Sequence, residues 1–316
     1  MYQKDMIIDK ATSFNRPPTQ SLSSSLFFLD ASTKQPIHIV GTMHYNPYSI
    51  NKVTELIHDY GSTGRLGSVV IESCEERWST TQRIQPKGSI LRWFLDNEFQ
   101  AAAELAEEYD ARVILADENI SKNNERINSV LTQTVHDLFA PPQGWNAILS
   151  DLQRGWRENI DPQLPTNSKT ESRGTKIFLD RSDLFDVGML QLAPISLARY
   201  VLGFVAKKPL PGTLLLGWLA GLIGYGIVHG IGSDLSLLEE VKATAAGLVL
   251  NLIIGVPLLG RVLLVTLLGD RNEIIARNIR DQCRILQGEG RREEVVLVVL
   301  GLAHCNGVKR LLCKKK

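Results

Sequence analysis

Short apolar runs and amphipathic stretches alternate over the first part of the chain. The run at residues 37–40 is long enough for a buried strand, and the apolar positions in 47–60 have the spacing of one helix face. A second apolar run follows at 68–71. The pattern predicts a strand, a helix and a second strand, with His44 shortly after the first strand and Glu72 directly after the second.

The same arrangement recurs near the carboxyl end. Residues 294–300 form the most strand-like run in the sequence, and it leads into Gly301 and His304 just as the first strand leads into Gly41 and His44. Ligands of open α/β sheets bind beyond the carboxyl ends of the strands. We therefore expect the two Gly-x-x-His motifs to form two halves of one site.

Further elements are predicted in the middle of the chain and near its end. An alanine- and glutamate-rich helix at 99–109 precedes a third strand that ends on Asp117. A carboxylate in this position either caps the next helix or takes part in the site. A helix at 270–287 has an apolar stripe, and the polar stretch 159–183 is typical of a linker or an exposed excursion.

Two long apolar runs lie between these parts. Residues 209–233 contain no Asp, Glu, Lys or Arg and are long enough for a bilayer span, which takes roughly 20 residues. The second run, 243–269, is interrupted by Arg261 and is separated from the first by a net acidic connection. The pattern predicts a helical hairpin in a membrane. A re-entrant or in-plane pair, or two buried helices of a soluble protein, are the alternatives.

The charges around this hairpin predict its orientation. Lys207 and Lys208 flank its entrance, Arg271 lies beyond its exit, and the connection at 234–242 is net acidic. By the positive-inside tendency, the α/β part faces the cytoplasm. In a eukaryotic cell we expect an organelle membrane, that of the mitochondrion or the chloroplast.

Composition narrows the classes of function. The 35 basic and 34 acidic residues nearly cancel, so there is no electrostatic basis for nucleic acid as a partner. The four cysteines contain no C-x-x-C pair, which gives no support to a zinc ribbon. Cys305 is either a nucleophile or, as we favour, a buried thiol. A Ser/His/Asp triad is the weaker alternative because the chain has no Gly-x-Ser-x-Gly turn.

We predict an α/β (α+β) fold, with a mixed β-sheet and flanking helices built from the N- and C-terminal segments. An apolar helical hairpin is inserted between these segments. The predicted divisions are a mobile N-terminal arm at 1–36, the first half of the α/β domain at 37–158, a polar linker at 159–186, an apolar region at 187–269, and the second half of the domain at 270–316.

His44, Glu72 and His304 form a donor set that suits a divalent metal. Two imidazoles and a carboxylate leave positions open for water, which such a metal acidifies. Imidazole suits several first-row metals, so Mn, Co and Zn are all candidates. Arg77 is either a solvated side chain or part of the same crevice. Arg271 opens a helix, and its side chain either caps that helix or faces the crevice.

Together these motifs resemble a known family. Gly41-Thr42-Met43-His44, Val70-Ile71-Glu72 and Glu76-Arg77 resemble the opening signature of the TraB/PrgY (pheromone-shutdown) family, and Arg271-Asn272-Glu273, residues 298–301, His304 and Gly307-Val308 resemble its closing signature. The resemblance covers roughly residues 37–120 and 270–312. The family is grouped with the Tiki and GumN proteins. The resemblance implies metal-dependent peptide hydrolysis, with His44, Glu72 and His304 at the metal and Glu72, Arg77 and Arg271 in catalysis.

The sequence leaves two functions open. The first is a membrane-anchored metallohydrolase that acts on a peptide or a small amide. The second is a catalytically silent membrane tether or regulatory protein that uses the same domain to bind a protein partner. In both, the membrane is a partner and nucleic acid is not, and the content of bound metal distinguishes them.

Overall fold

The chain is built around one mixed β-sheet. The computed structural model describes residues 24–161, 178–184, 186–207 and 251–314. Its five strands are β1 (Ser25–Leu29), β2 (Pro36–Thr42), β3 (Leu66–Ile71), β4 (Arg112–Leu115) and β5 (Val295–Gly301). They lie in the order β1-β2-β5-β3-β4, and all neighbours are parallel except β1 and β2. The last strand lies between two strands from the first part of the chain, so the N- and C-terminal segments build one sheet, as the sequence predicts.

Helices account for most of the remaining described residues. Before the gap at 208–250 they are α1 (Pro47–Ser62), α2 (Glu75–Ile84), α3 (Ile90–Phe94), α4 (Glu98–Glu108), α5 (Ile120–Leu138), α6 (Gln143–Asn159), α7 (Arg181–Leu184), α8 (Val187–Gln191) and α9 (Ala193–Lys207). After it, helical structure is continuous through a π-helical turn (Asn251–Gly255), α10 (Val256–Arg261), a second π-helical segment (Val262–Asp270) and α11 (Arg271–Gly288). The chain ends with α12 (Leu302–Cys313).

The sheet is covered by helices on both faces, which confirms the predicted α/β fold. One hydrophobic cluster joins the sheet to α11 and α12, and the other joins it to α1 and α4. Strand β5 contributes to both, because side chains alternate between the two faces of a strand. Val298 belongs to the first cluster and Val299 to the second, and both are fully buried. A strand buried on both faces has a continuous apolar sequence, as β5 does.

The predicted N-terminal arm is wrong in its last part. Strand β1 lies within it and pairs with β2, and Leu26 is fully buried in the core. The apolar run from Leu26 to Leu29 is short and lies among polar residues, so its strand character is seen only from its pairing. The rest of the predicted arm, residues 1–23, lies outside the described residues, as does most of the predicted linker.

One described helix is long and apolar enough to cross a membrane. It comprises residues 253–288, and its most apolar stretch has a mean hydropathy of 1.8. Only 28% of that stretch is buried, unlike the core helix of a soluble protein. The predicted first run at 209–233 and the beginning of the second lie outside the described residues. The structure thus contains a helix compatible with membrane association.

Candidate functional site

The candidate site lies at the carboxyl ends of the four parallel strands. His44 follows β2, Glu72 follows β3, Asp117 follows β4, and His304 lies in the first turn of α12 after β5. Because parallel strands end at the same edge of a sheet, these side chains are brought to one place. The order of the strands puts β5 between β2 and β3, so residues from both ends of the chain meet.

Glu72 is the buried anion at the centre of the site. Its side chain is 5% exposed. One oxygen, Oε2, accepts the main-chain N–H of Gly301 at 2.8 Å, and the other, Oε1, accepts Arg271 Nη2 at 2.5 Å. Burial raises the pKa of Glu72, but the charges of His304, Arg271 and His44 outweigh it and hold the pKa well below its usual value. Glu72 is therefore a carboxylate at neutral pH.

The ring of His304 is oriented by two buried amides. Asn159 Nδ2 faces two main-chain carbonyls at 2.9 and 3.2 Å, so it must donate to them. Asn159 Oδ1 then accepts from Asn272 Nδ2 at 2.7 Å, which leaves Asn272 Oδ1 to accept from Nδ1 of His304, also at 2.7 Å. His304 thus carries a proton on Nδ1. Its Nε2 points to Glu72 Oε1, 3.3 Å away.

The ring of His44 is held in a similar way by a carboxylate. Its Nδ1 lies 2.5 Å from Glu98 Oε1, and Glu98 Oε2 accepts the Tyr45 main-chain N–H at 3.1 Å. Glu98 is the first residue of α4, after the N-cap Asn97, so the helix N-terminus stabilises its charge. Burial lowers the pKa of His44, but the charge and hydrogen bond of Glu98 and the charge of Glu72 raise it to about 8.

Gly301 lies where the two halves of the site meet. A Cβ atom at this position would be 3.3 Å from Glu72 Oε2 and 3.5 Å from His44 Nε2. Its φ of −58° is ordinary, so glycine is needed here for space and not for an unusual backbone conformation. A larger residue at this position would therefore crowd the imidazole of His44 and the carboxylate of Glu72.

The two predicted arginines are in the same cluster and share a carboxylate. Arg271 Nε donates to Asp117 Oδ1 at 2.9 Å while its Nη2 reaches Glu72, and Arg77 forms an ion pair with Asp117. The Arg271 side chain is 12% exposed. Asp117 does not cap the following helix, because Asn119 does so. Both arginines therefore hold the acidic residues at the strand ends in place.

The donor chemistry at this edge fits a divalent ion, although a complete ligand cage is not formed. Among the described residues, no group of three or more His, Cys, Asp or Glu is arranged to hold a metal. However, each histidine has its Nδ1 held by an acceptor, which directs its Nε2 to the surroundings of Glu72. This is the usual environment of metal-binding histidines. Both oxygens of Glu72 already accept hydrogen bonds, Oε1 from Arg271 and Oε2 from the Gly301 main-chain N–H.

Sequence reasoning missed Glu98 and Asn159. The Asn97-Glu98 pair has the form of a helix cap and first turn, which signals a helix start but not a contact with His44. The sequence predicts that Asn159 begins a linker, yet it ends α6 and is buried. Its contact with Asn272 depends on the packing of α6 against the helix at 262–288, which sequence periodicity does not show.

Comparison with known proteins adds no family to this geometry. No protein-family model matches the chain, and no curated protein matches it. The resemblance to the TraB/PrgY family therefore stays a prediction that rests on the motifs alone.

Proposed function

We propose that this chain is a membrane-anchored hydrolase of peptide or other amide bonds, with its site at His44, Glu72 and His304. One observation carries the proposal. Two histidines from opposite ends of the chain each have Nδ1 fixed by an acceptor, and each directs Nε2 to the surroundings of one buried carboxylate. A structural histidine needs one satisfied ring nitrogen, but a matched pair with both Nε2 atoms converging on a carboxylate is typical of a reactive site.

The residues divide the work of such a reaction among them. His44, Glu72 and His304 would hold a divalent ion, for which Mn, Co and Zn are candidates, and such an ion supplies Lewis acidity for water activation. Arg271 keeps Glu72 ionised and in one orientation.

A cysteine nucleophile does not fit the site. Cys305 is fully buried and its Sγ lies 3.7 Å from the carbonyl oxygen of Gly301. Burial and the charge of Glu72 raise the pKa of the Cys305 thiol, so its thiolate is not populated at neutral pH. The attacking group in our proposal is therefore water, as the sequence interpretation of a buried thiol also favours.

The membrane part of the proposal rests on the helix at 253–288 and on the charges of the sequence. The helix is compatible with anchoring by its length and composition. Lys207 and Lys208 precede the apolar region, and the connection at 234–242 is net acidic. We propose that the α/β domain faces the cytoplasm, and in a eukaryotic cell that the membrane is that of a mitochondrion or a chloroplast.

The test measures bound metal and hydrolysis in the same preparations. The full chain is treated with a chelator, reloaded separately with Mn, Co or Zn, and assayed on a quenched-fluorescence peptide library. We expect near-stoichiometric metal and peptide cleavage for the wild type. His44→Ala should lose both, and Glu72→Gln should lose turnover with the fold intact, because the substitution is nearly isosteric. His136→Ala, at a histidine with an 81% exposed side chain, is the matched control.

A specific observation favours the second candidate, a silent tether or regulator. Arg271 and Arg77 already neutralise Glu72 and Asp117, so the cluster is also consistent with a purely structural role. The same experiment decides between the two candidates. Folded wild-type protein that takes up none of the three metals and cleaves no peptide would reject the hydrolase and leave the tether.

A further inference from the structure

An apolar groove opens directly beside His44. It has a volume of about 670 Å³ and is bounded by the loop at Met43 and His44 and by α8 and α9. Its other walls are formed mainly by Leu190, Pro194, Leu197 and Tyr200. Of the described residues that line it, only His44 is ionisable near neutral pH. The groove therefore suits an uncharged, apolar group and opens beside His44 of the candidate site.

The wall of the groove is fixed to the loop that carries the histidine. Ser196 Oγ on α9 donates to the carbonyl oxygen of His44, and Arg199 Nη1 donates to that of Tyr45 at 3.4 Å. The rings of Tyr45 and Tyr200 meet edge to face at 6.1 Å. Helix α9 also packs against α2, which contributes Arg77 to the site. The wall of the groove is thus held to the loop that carries His44 and to the helix that carries Arg77, both of the candidate site.

Large apolar side chains are left open to solvent in this groove. Leu190 is 44% exposed, Leu197 is 66% exposed and Tyr200 is 55% exposed. A row of exposed apolar residues next to a reactive group marks a binding surface more often than it marks ordinary surface. Helix α9 ends at Lys207, two residues before the apolar run at 209–233 begins. A molecule bound in the groove would therefore contact a helix that directly precedes, in sequence, the segment expected in the membrane.

We propose that this groove binds the apolar part of the substrate, and that the substrates are amides with a long aliphatic or aromatic group beside the scissile bond. This inference rests on the proposed function, because it assigns a substrate class to the same site. In the reaction, the oxygen of water bonds to the amide carbon, the C–N bond breaks, and a proton from that water passes to the leaving nitrogen. The products are a carboxylic acid with the apolar group and an amine.

The first experiment locates the apolar group without relying on turnover. The full chain in lipid nanodiscs is irradiated with an N-dodecanoyl amide that carries a diazirine on its acyl chain, and crosslinked peptides are identified by mass spectrometry. We expect labelling at Leu190, Leu197 and Tyr200, and Leu197→Asp should reduce it at least tenfold. Leu149→Asp, on α6 and at a similarly exposed position (51%), should leave it unchanged. Labelling spread evenly over exposed apolar residues of other helices would overturn the proposal.

The second experiment compares hydrolysis of N-acyl aminocoumarin amides from acetyl to dodecanoyl. Burial of a methylene group corresponds to roughly threefold to fourfold in kcat/KM, until the groove is filled. Leu197→Asp should abolish this gain, whereas the control Leu149→Asp should keep it. Leu190→Ser serves as a second variant should Leu197→Asp fail to fold. Hydrolysis that does not depend on chain length would reject the groove proposal but keep the hydrolase. Labelling of the groove without any hydrolysis would reject the hydrolase but keep the groove as a binding site.

Discussion

Glu98 determines both the orientation and the charge of His44. Its carboxylate is 1% exposed and lies 2.5 Å from the imidazole Nδ1. Burial lowers the pKa of His44, yet Glu98 and Glu72 raise it from 6.5 to about 8. A raised pKa means that the folded state binds the proton more tightly. The pair therefore stabilises the fold below pH 6.5, and this stabilisation is lost as the pH rises through about 8.

We predict that Glu98→Gln lowers the pKa of His44 by at least ~1 unit, because the charge of Glu98 then no longer opposes the lowering of that pKa by burial. The free energy of unfolding at pH 6 should fall by roughly 1 kcal/mol, a figure reduced for solvent screening because the His44 side chain is 38% exposed. Both quantities are measured on chelator-treated protein, by NMR titration of the ring protons and by denaturant unfolding. Glu107→Gln, an exposed position on the same helix, is the control. An unchanged His44 pKa would contradict the conclusion that Glu98 raises it.

Asn159 acts on His304 through Asn272, and its replacement tests this relay. Asn159→Leu removes the donor to two buried carbonyls and the acceptor for Asn272. We expect destabilisation of ~1–3 kcal/mol, the usual effect of leaving buried polar groups unsatisfied. The informative measurement is the ¹⁵N chemical shift of the His304 ring, because only a relay would change the ratio of its Nδ1–H and Nε2–H forms. Asn128→Leu, on the exposed face of α5, should change neither.

At the scale of residues, the sequence predicts the parts of the site that strand ends define. His44, Glu72 and His304 follow predicted strands, and parallel strands must end together. The partners that orient the two histidines come from helices, and their positions depend on how those helices pack. Glu98 and Asn159 could not be found in this way, because neither follows a strand.

At the scale of elements, the helix at 251–288 joins regions that the sequence separates. The predicted division between residues 269 and 270 falls inside continuous helix. The apolar part and the soluble part are distinguished by composition, whereas the backbone hydrogen-bonding continues through Asp270 into α11. Arg271 and Asn272 therefore lie where the apolar part of the helix meets the site. Movement of the apolar part would act on them directly.

One face of this helix is covered by α5 and α6. Arg261 is 4% exposed and forms ion pairs with Asp137 of α5 and Asp151 of α6. Apolar side chains on the same segment are exposed, with Leu259 at 73% and Val256 at 51%. An arginine paired with two carboxylates does not face lipid. The exposed apolar face is therefore the one available to a membrane.

We predict that Arg261→Met lowers the free energy of unfolding by up to ~3 kcal/mol, because the partly buried Asp137 and Asp151 lose their shared counter-charge. Among the described residues, only Asp151 of the two keeps another arginine, Arg154. Adding Asp137→Asn and Asp151→Asn to that variant should recover most of the loss. Thermal unfolding in detergent measures both effects. Leu259→Met, on the exposed face, is the control and should be nearly neutral. If Arg261→Met were stabilising, the arginine would face lipid and the packing of α5 and α6 described here would be incorrect.

Periodicity predicts most of the strands and several of the helices, but not the long helices α5 and α6. Strands β2, β3, β4 and β5 and helices α1, α4 and α11 occur where the sequence predicts them, within a few residues at each end. Strand β1 was missed because its few apolar residues lie among Ser, Thr and Pro. Its stability comes from pairing with β2, which is a long-range interaction that local patterning does not contain.

At the scale of the whole molecule, the sheet order constrains the membrane topology. Strands β2 and β5 are hydrogen-bonded neighbours, and they lie on opposite sides, in sequence, of the apolar region. Both therefore lie on the same side of any membrane. The chain between them must cross the bilayer an even number of times, and a hairpin is the smallest arrangement that does so. An in-plane pair of helices also satisfies this condition.

Protease protection on sealed vesicles tests this topology with epitope tags near residues 20, 238 and 316. We expect the tags near 20 and 316 to share one accessibility, because the segments that follow and precede them meet in one sheet. The helical hairpin that the sequence predicts requires the opposite accessibility for the tag near 238, because 209–233 is long enough to span; the helix at 253–288 passes by length and composition, and its face away from α5 and α6 would meet the lipid. Equal accessibility of all three tags would indicate helices lying in the membrane plane. Different accessibility of the two outer tags would contradict the shared site, since His44 and His304 could then not lie beside the same carboxylate.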